Sequence, residues 1–181
     1  MGIDLRRWKA AGLFFLVVLI AAGPACKRKA KARASTPESP AVLLSVVNVA
    51  DPAGTVQLAS GFFGLESDAW RWTARKFTVV LRPPEGASKN GARLELHLNV
   101  PAVVVNRVGP IAVSAEIGGT VLPAERYERM GDYVYARDID SSLLRASAVA
   151  IRFSTDKALP PAGADTRELA LIVTSVGLAE K

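Results

Sequence analysis

The sequence predicts an all-β fold, an antiparallel β-sandwich of about eight or nine strands over residues 41–181. From residue 41 onward apolar and polar residues alternate with a period of two, as expected for a sheet packed on one face. Turn-forming glycines and prolines separate the alternating segments, and no segment has an apolar stripe of three helical turns. The sandwich is predicted to follow an N-terminal hydrophobic signal or anchor helix (1–26) and a flexible tether (27–40).

The clearest strand is ARLELHLNV, where apolar residues alternate with polar ones from Leu94 to Val100. The other strand candidates are short and rich in β-branched residues, and they cover 41–49, 55–59, 71–81, 111–117, 120–127, 132–139, 148–153 and 169–178. About 140 residues suffice for a single core that buries roughly two thirds of the surface of the unfolded chain.

Turn chemistry predicts how the strands connect. The Asn90-Gly91 pair after Pro83-Pro84 is a strong hairpin signal, and Gly118-Gly119 predicts a second tight turn. A single helical turn is expected within 141–148. A β-bulge near 73–76 would reconcile the phase of Trp70 and Trp72 with that of the apolar residues after them.

The N-terminal segment has the layout of a secretory signal. Arg6, Arg7 and Lys9 precede an uncharged run that ends in small residues at Ala25. Cys26, the only cysteine, follows at once, and this arrangement resembles the signal of bacterial lipoproteins, whose cysteine is acylated. Cys26 is therefore the candidate lipid-attachment residue.

The alternative for this segment is an ordinary signal or a retained transmembrane helix, although the uncharged run is shorter than the roughly 20 residues of a typical span. Either interpretation places the remainder outside the cytoplasm, in the bacterial cell envelope, as periplasmic or cell-surface protein.

The net charge of +6 does not indicate nucleic-acid binding. Residues 27–38 hold five basic residues and one acidic residue, whereas residues 39–181 hold 15 of each. A nucleic-acid-binding domain would concentrate positive charge on its folded surface. The basic tether is instead suited to anionic lipid headgroups or to solvent.

Four segments carry a resemblance to a known group of domains: GFFGLESDAWRWTARKFTVVLRPP, GARLELHLNVP, GPIAVSAEIGGTVLP and DTRELALIVTSVGL. Their order resembles the small jelly-roll β-sandwich modules of bacterial envelope and polysaccharide-related proteins, which look like carbohydrate-binding domains. The recurring features of that group fall here on Gly61, Phe62, Glu66, Arg71-Trp72, Pro101, Gly118-Gly119 and Arg167-Glu168-Leu169. The resemblance spans about residues 55–178 and implies a jelly-roll-like topology with a carbohydrate-binding-like role.

The stretch ESDAWRW contains the first candidate binding site. In an extended strand Trp70 and Trp72 project from one face and Arg71 from the other. The two indoles could form a stacking platform for sugar rings, with hydrogen bonds from Arg71 and from the neighbouring charged residues Glu66, Asp68 and Arg75. In the alternative interpretation one tryptophan caps the core, and Arg71 or Arg75 pairs with Glu66.

A second aromatic cluster involves Tyr133 and Tyr135, which share one face of a predicted strand beside Arg137. They could line a binding groove, or they could be ordinary residues of a half-buried strand. Asp138 and Asp140 are too few ligands for calcium, which prefers six to eight oxygens.

Catalysis and cofactor binding are not predicted. His97 is the only histidine and Cys26 lies in the N-terminal segment, so no His/Cys zinc site can be assembled. The sequence also lacks a G-x-S-x-G elbow and a phosphate-binding glycine loop. We therefore expect a non-catalytic envelope protein, held at a membrane by its N-terminal anchor, that binds a glycan or polysaccharide. The alternative function is a scaffold that docks another envelope protein.

Overall fold

The computed structural model describes residues 42–181. The predicted signal or anchor (1–26), the tether (27–40) and Cys26 lie outside the described residues. Within 42–181 there is no helix with the length and hydrophobicity needed to cross a membrane.

Nine strands and two short α-helices make up the described part of the chain. The strands are β1 (Val46–Asn48), β2 (Ser60–Glu66), β3 (Trp70–Leu81), β4 (Ala92–Val100), β5 (Ile111–Ile117), β6 (Thr120–Tyr127), β7 (Gly131–Ile139), β8 (Val149–Thr155) and β9 (Ile172–Ala179). The α-helices are α1 (Ala87–Asn90) and α2 (Ala102–Val108), and 3-10 turns cover Pro52–Gln57 and Ser141–Leu144.

All strand pairings are antiparallel, in the order β6-β5-β8-β3-β9-β4-β7, with β1 beside β9 and β2 beside β3. The long strand β3 belongs to both halves of this order, because Lys76–Leu81 pair with β8 whereas Arg71 and Trp72 pair with β9. The sheet folds back on itself: Tyr135 of β7 lies edge-on to Phe153 of β8, with ring centroids 6.3 Å apart, although three strands separate β7 from β8 in the order. The all-β antiparallel prediction is confirmed as a sandwich-like fold, and the jelly-roll assignment stays a prediction.

The core lies between the two layers and follows the predicted alternation. The apolar side chains of β4 from Leu94 to Val100 point inward, as predicted, and are at most 3% exposed. Arg93 and His97 of the same strand face solvent. Phe77 of β3 stacks on Phe153 of β8 with ring centroids 5.0 Å apart. Burial of these large side chains is the main stabilising contribution, at about 1.5–3 kcal/mol each.

Two segments differ from the predicted strands. Residues 55–59 were expected to form a strand, but most of them belong to the 3-10 turn Pro52–Gln57. The Asp51 carboxylate accepts a hydrogen bond from the Ala53 amide at 2.9 Å, and Pro52 has the backbone angle that starts a helical turn. These local signals outweigh the strand preference of the β-branched residues after them. The next strand, β2, was not among the predicted strands.

The hairpin predicted at Asn90-Gly91 is wrong. Asn90 ends helix α1, and Gly91 closes it with φ of 78°, an angle that favours glycine. Strands β3 and β4 do not pair with each other, because they join different neighbours. Helix α2 was also not predicted, since it has only seven residues and is rich in valine.

Other connections agree with the predictions. Gly118 and Gly119 form the β5–β6 turn with φ of 56° and 84°, and a 3-10 turn occupies Ser141–Leu144.

The predicted irregularity in β3 is present. Phe62 of β2 pairs with Thr73, and Ser60 pairs with Thr78, so two steps along β2 correspond to five along β3. Gly61 lies against this bulge with φ of 74°. The bulge changes the direction of β3 where the strand leaves β9 and reaches β8.

Candidate functional site

The two tryptophans begin β3 and lie on one face of the strand, as predicted. Trp70 and Trp72 are both half-buried, with ring centroids 6.3 Å apart and planes at 78°. Trp72 also packs against the edge of the hydrophobic core. An edge-to-face pair of this kind keeps both rings rigid without hiding them completely from solvent.

The cross-strand register extends the tryptophan face across the sheet. Trp72 lies opposite Ile172 of β9, and Ile172 lies opposite Asn99 of β4. Asn99 in turn lies opposite Asp132 of β7. Residues that pair directly in antiparallel strands share one face. At about 4.8 Å per strand, this row covers about 14 Å from Trp72 to Asp132.

A shallow hollow lies at the far end of this row. It has a volume of about 430 Å³ and is lined mainly by His97, Asn99, Asp132, Tyr133, Val134 and Thr174. The Asn99 side-chain amide donates to the Asp132 carboxylate at 2.7 Å, which fixes the orientation of both groups. Asp132 has no ion-pair partner among residues 42–181 and retains free acceptor positions. Trp70, Trp72, Ile172, Asn99 and Asp132 together form the aromatic-polar face of the sheet.

The structure places Arg71 on the opposite side of β3. Its Nε donates to the Val49 carbonyl oxygen at 2.9 Å, and its Nη1 donates to the Phe63 carbonyl oxygen at 3.0 Å. Its cross-strand partner Val173 is buried in the core. Arg71 therefore ties β2 and the end of β1 to β3 and does not contribute to the aromatic-polar face.

Arg75 and Glu66 do not join the tryptophan face either. Arg75 donates to the main-chain oxygens of Thr155 and Asp156 at 3.2 and 2.6 Å, past the bulge. Glu66 pairs with Arg167 at 3.0 Å, so the alternative pairing with Arg71 or Arg75 is wrong.

Arg167 joins two carboxylates. It contacts Asp165 through both Nε at 3.0 Å and Nη2 at 2.8 Å, in addition to Glu66. Hydrogen bonds from the side chain and then from the backbone amide of Arg167 lower the pKa of Asp165 to about 2. With its donors occupied by carboxylates, Arg167 is a structural contact between β2 and the segment before β9.

The tyrosine cluster belongs to the core. Tyr135 is fully buried, and its hydroxyl donates to the Pro123 carbonyl oxygen at 2.9 Å. Tyr133 packs its ring on Tyr127 at 4.6 Å and donates to the Arg129 carbonyl oxygen at 3.1 Å. The prediction of an exposed groove lined by Tyr133 and Tyr135 is therefore wrong for Tyr135, because the alternation of β7 directs it inward, and Tyr133 only borders the hollow.

The acidic residues around the end of β7 have separate partners. Asp138 pairs with Arg93 at 3.5 Å and with Lys181 at 3.2 Å. Asp140 caps the following 3-10 turn, and hydrogen bonds from Ser142 hold the pKa of its carboxyl below the usual range. Within residues 42–181 no group of three or more histidine, aspartate or glutamate side chains is arranged to hold a metal ion.

Asn99, Asp132 and Ile172 were not predicted as site residues. The alternation of β4 placed Asn99 on the solvent face, but the sequence contains no signal that β4 and β9 are neighbours. Their approach to the tryptophans depends on the pairing of Ile172 with Trp72 and with Asn99, which lie 100 and 73 residues away along the chain, and period-two patterns do not encode it.

Comparison with known proteins does not identify a family. No protein-family model matches the sequence, and no curated protein matches it. Among solved structures, an acetyl xylan esterase from the rumen bacterium Butyrivibrio proteoclasticus aligns with a TM-score of 0.40 and 12% identity, covering 76% of this chain and 33% of the esterase. A CBM4 structure aligns with a TM-score of 0.36 and 10% identity, covering 75% of this chain and 85% of that one. The chain thus spans about a third of the esterase, and likenesses this weak assign neither activity nor ligand.

Proposed function

We propose that residues 42–181 form a non-catalytic module that binds a glycan or polysaccharide on the aromatic-polar face. The observation that carries this proposal is the row that links Trp72 through Ile172 to the hydrogen-bonded pair of Asn99 and Asp132. Stacking surface and fixed polar groups then lie on one side of one sheet.

The chemistry of this row suits a sugar chain. The apolar face of a pyranose ring stacks on an indole with little loss of side-chain entropy. The free acceptor positions of Asp132 and the amide oxygen of Asn99 can accept hydrogen bonds from sugar hydroxyls. Because Asn99 already orients Asp132, binding need not order these two side chains anew.

The N-terminal part of the proposal places this module at a membrane. Acylation of Cys26 would hold it in the bacterial envelope, with the basic tether against anionic headgroups. Labelling with a radioactive fatty acid tests the attachment: label should enter the wild-type chain and be lost in Cys26→Ser. A Cys26→Ser chain that retains the label removes this part of the proposal.

One observation favours a scaffold as the second candidate function. Val46 is 55% exposed and Val134 is 42% exposed, and both project from the same sheet face as the hollow. A protein partner could cover these side chains together with the hollow, which Val134 lines. The two candidate functions therefore use the same face, and substitutions at different residues distinguish between them.

A glycan array with the full-length chain tests the first function. Trp72→Ala and Asn99→Ala should each weaken the best ligand at least tenfold, since central aromatic and polar contacts dominate such sites. Val56→Ala is the matched control, because Val56 is 70% exposed in the 3-10 turn Pro52–Gln57 and does not line the hollow.

The outcomes discriminate between the two functions. Glycan binding that survives Trp72→Ala removes the platform. Absence of any glycan binding, combined with a protein partner lost in Val134→Asp and retained in Val56→Asp, supports the scaffold instead.

A further inference from the structure

The other layer has its own polar row on the solvent side. Lys76 of β3 lies opposite Ser154 of β8, and Ser154 lies opposite Ser114 of β5. The next outward row along the same strands places Arg152 of β8 between Thr78 and Glu116. These rows lie beyond the β3 bulge, on the layer formed by β3, β8 and β5.

Two hollows meet at this row. One has a volume of about 270 Å³ and is lined by side chains of β3, β8, β5 and β6. The other, of about 600 Å³, extends past Arg75 towards Glu168. Both include Lys76 and Ser154, so together they form one trough with these two residues at its centre. A trough of this size is in the range of small-molecule sites.

The hydroxyl groups in the trough have a free donor. Ser114 Oγ and Ser154 Oγ are 2.9 Å apart and form one hydrogen bond with each other. A pair of hydroxyls has two hydrogens and uses only one in such a bond, so the second is available to a ligand. Lys76, directly across from Ser154, brings three further N–H donors.

The charge in the trough is positive. Among residues 42–181 neither Lys76 nor Arg75 has a carboxylate within ion-pair distance, and the Arg75 guanidinium is bonded to main-chain oxygens only. Glu116 is neutralised by Arg152 at 2.8 Å. Glu168 at the far end is the remaining acid, so two cations face one carboxylate.

We propose that this trough binds the anionic group of an acidic saccharide, either a carboxylate or a phosphate. The anion accepts hydrogen bonds from the Lys76 ammonium and from the free serine hydroxyl, and Arg75 adds long-range attraction. The neighbouring hydroxyl of Thr78 matches the hydroxyl-rich remainder of such a ligand. This site is separate from the aromatic-polar face, and only the choice of a saccharide as the ligand rests on the function proposed for that face.

Isothermal titration calorimetry with the full-length chain in detergent micelles tests the proposal. The probes are oligogalacturonate for a carboxylate, mannose 6-phosphate for a phosphate, and maltohexaose as an uncharged saccharide. We expect at least one anionic probe to bind and to weaken as salt is raised, because the charges are exposed and screened. Whichever anionic probe binds identifies the group, and binding of both shows that the trough accepts a carboxylate as well as a phosphate.

Variants locate the binding. Lys76→Gln should weaken the anionic probe at least tenfold and Ser154→Ala severalfold, whereas Lys89→Gln, a matched exposed lysine on α1, should have no effect. Trp72→Ala should leave the anionic probe unchanged, which separates this site from the other face. The proposal is overturned if neither anionic probe binds, or if Lys76→Gln and Lys89→Gln cause equal losses.

Discussion

Two buried tyrosines, Tyr127 and Tyr135, differ by one hydrogen bond and so form a matched test of the polar contacts in the core. Tyr135 donates to the Pro123 carbonyl oxygen at 2.9 Å. The Tyr127 hydroxyl is the one buried side-chain polar atom without a hydrogen-bond partner in the described part of the chain. Burial, followed by the charge of Glu125, raises the pKa of Tyr127 far above its ordinary value.

Replacement of each tyrosine by phenylalanine should shift stability in opposite directions. Tyr127→Phe removes a hydroxyl that is desolvated without compensation, and we expect a gain of about 1 kcal/mol. Tyr135→Phe loses one hydrogen bond, and we expect a loss of about 1 kcal/mol, because Arg137 Nε still donates to the same Pro123 oxygen at 2.9 Å. In a domain of this size each change corresponds to about 3 °C in Tm.

Urea and thermal unfolding of the two variants measure these shifts, with circular dichroism as the probe. The wild type should also lose stability above about pH 10, where unfolded tyrosine ionises and the buried Tyr127 does not. Because the pKa of Tyr127 is higher in the folded state than in the unfolded state, its contribution to stability is fully present below the unfolded-state pKa. That contribution is lost as the pH rises towards the folded-state pKa. Tyr127→Phe removes this contribution. If Tyr127→Phe destabilises the protein as much as Tyr135→Phe, the hydroxyl has a partner and the reasoning is refuted.

Two further predictions concern the bulge and the Arg167 contacts. Gly61→Ala should destabilise the domain by more than about 2 kcal/mol, because φ is 74° and a Cβ would lie 2.1 Å from the Lys76 carbonyl oxygen. Gly64→Ala, where a Cβ meets nothing within 4 Å, should be close to neutral in the same unfolding assay, and equal losses would contradict the strain argument. Carbon-detected NMR titration should give Asp165 a pKa of about 2, and this pKa should rise in Arg167→Ala. Because the folded-state pKa is lowered, the stability that the contact contributes is lost as the pH falls towards 2. A pKa of Asp165 that is unchanged in Arg167→Ala would show that Arg167 is not the cause.

The strands could be predicted from the sequence wherever the information is local. The alternation around Leu96 and the Gly118-Gly119 pair each depend on a few consecutive residues, and both predictions are confirmed. The prediction at Asn90-Gly91 was wrong because the same dipeptide can end a short helix with glycine at a positive φ. The dipeptide fits both a hairpin turn and the end of a helix. Which of the two forms depends on whether the flanking strands pair with each other.

The candidate site could be predicted only in part. The neighbouring positions of Trp70 and Trp72 place them on one face from sequence alone, and the structure agrees. The partner of Glu66 is Arg167, 101 residues away, and the nearer arginines were the wrong prediction. Tertiary pairing sets these contacts, so a charge near another charge in sequence is weak evidence for an ion pair.

The position of β9 has a consequence for when the domain can fold. The strand that comes last of the nine lies in the interior of the sheet, where it pairs with β1, β3 and β4. While β9 is still inside the ribosome, the nascent chain lacks the strand that pairs with β1, β3 and β4. The sheet can therefore close only after synthesis has passed Ala179, the last residue of β9. A chain whose sheet has not yet closed is what the proposed export through a translocation channel would require.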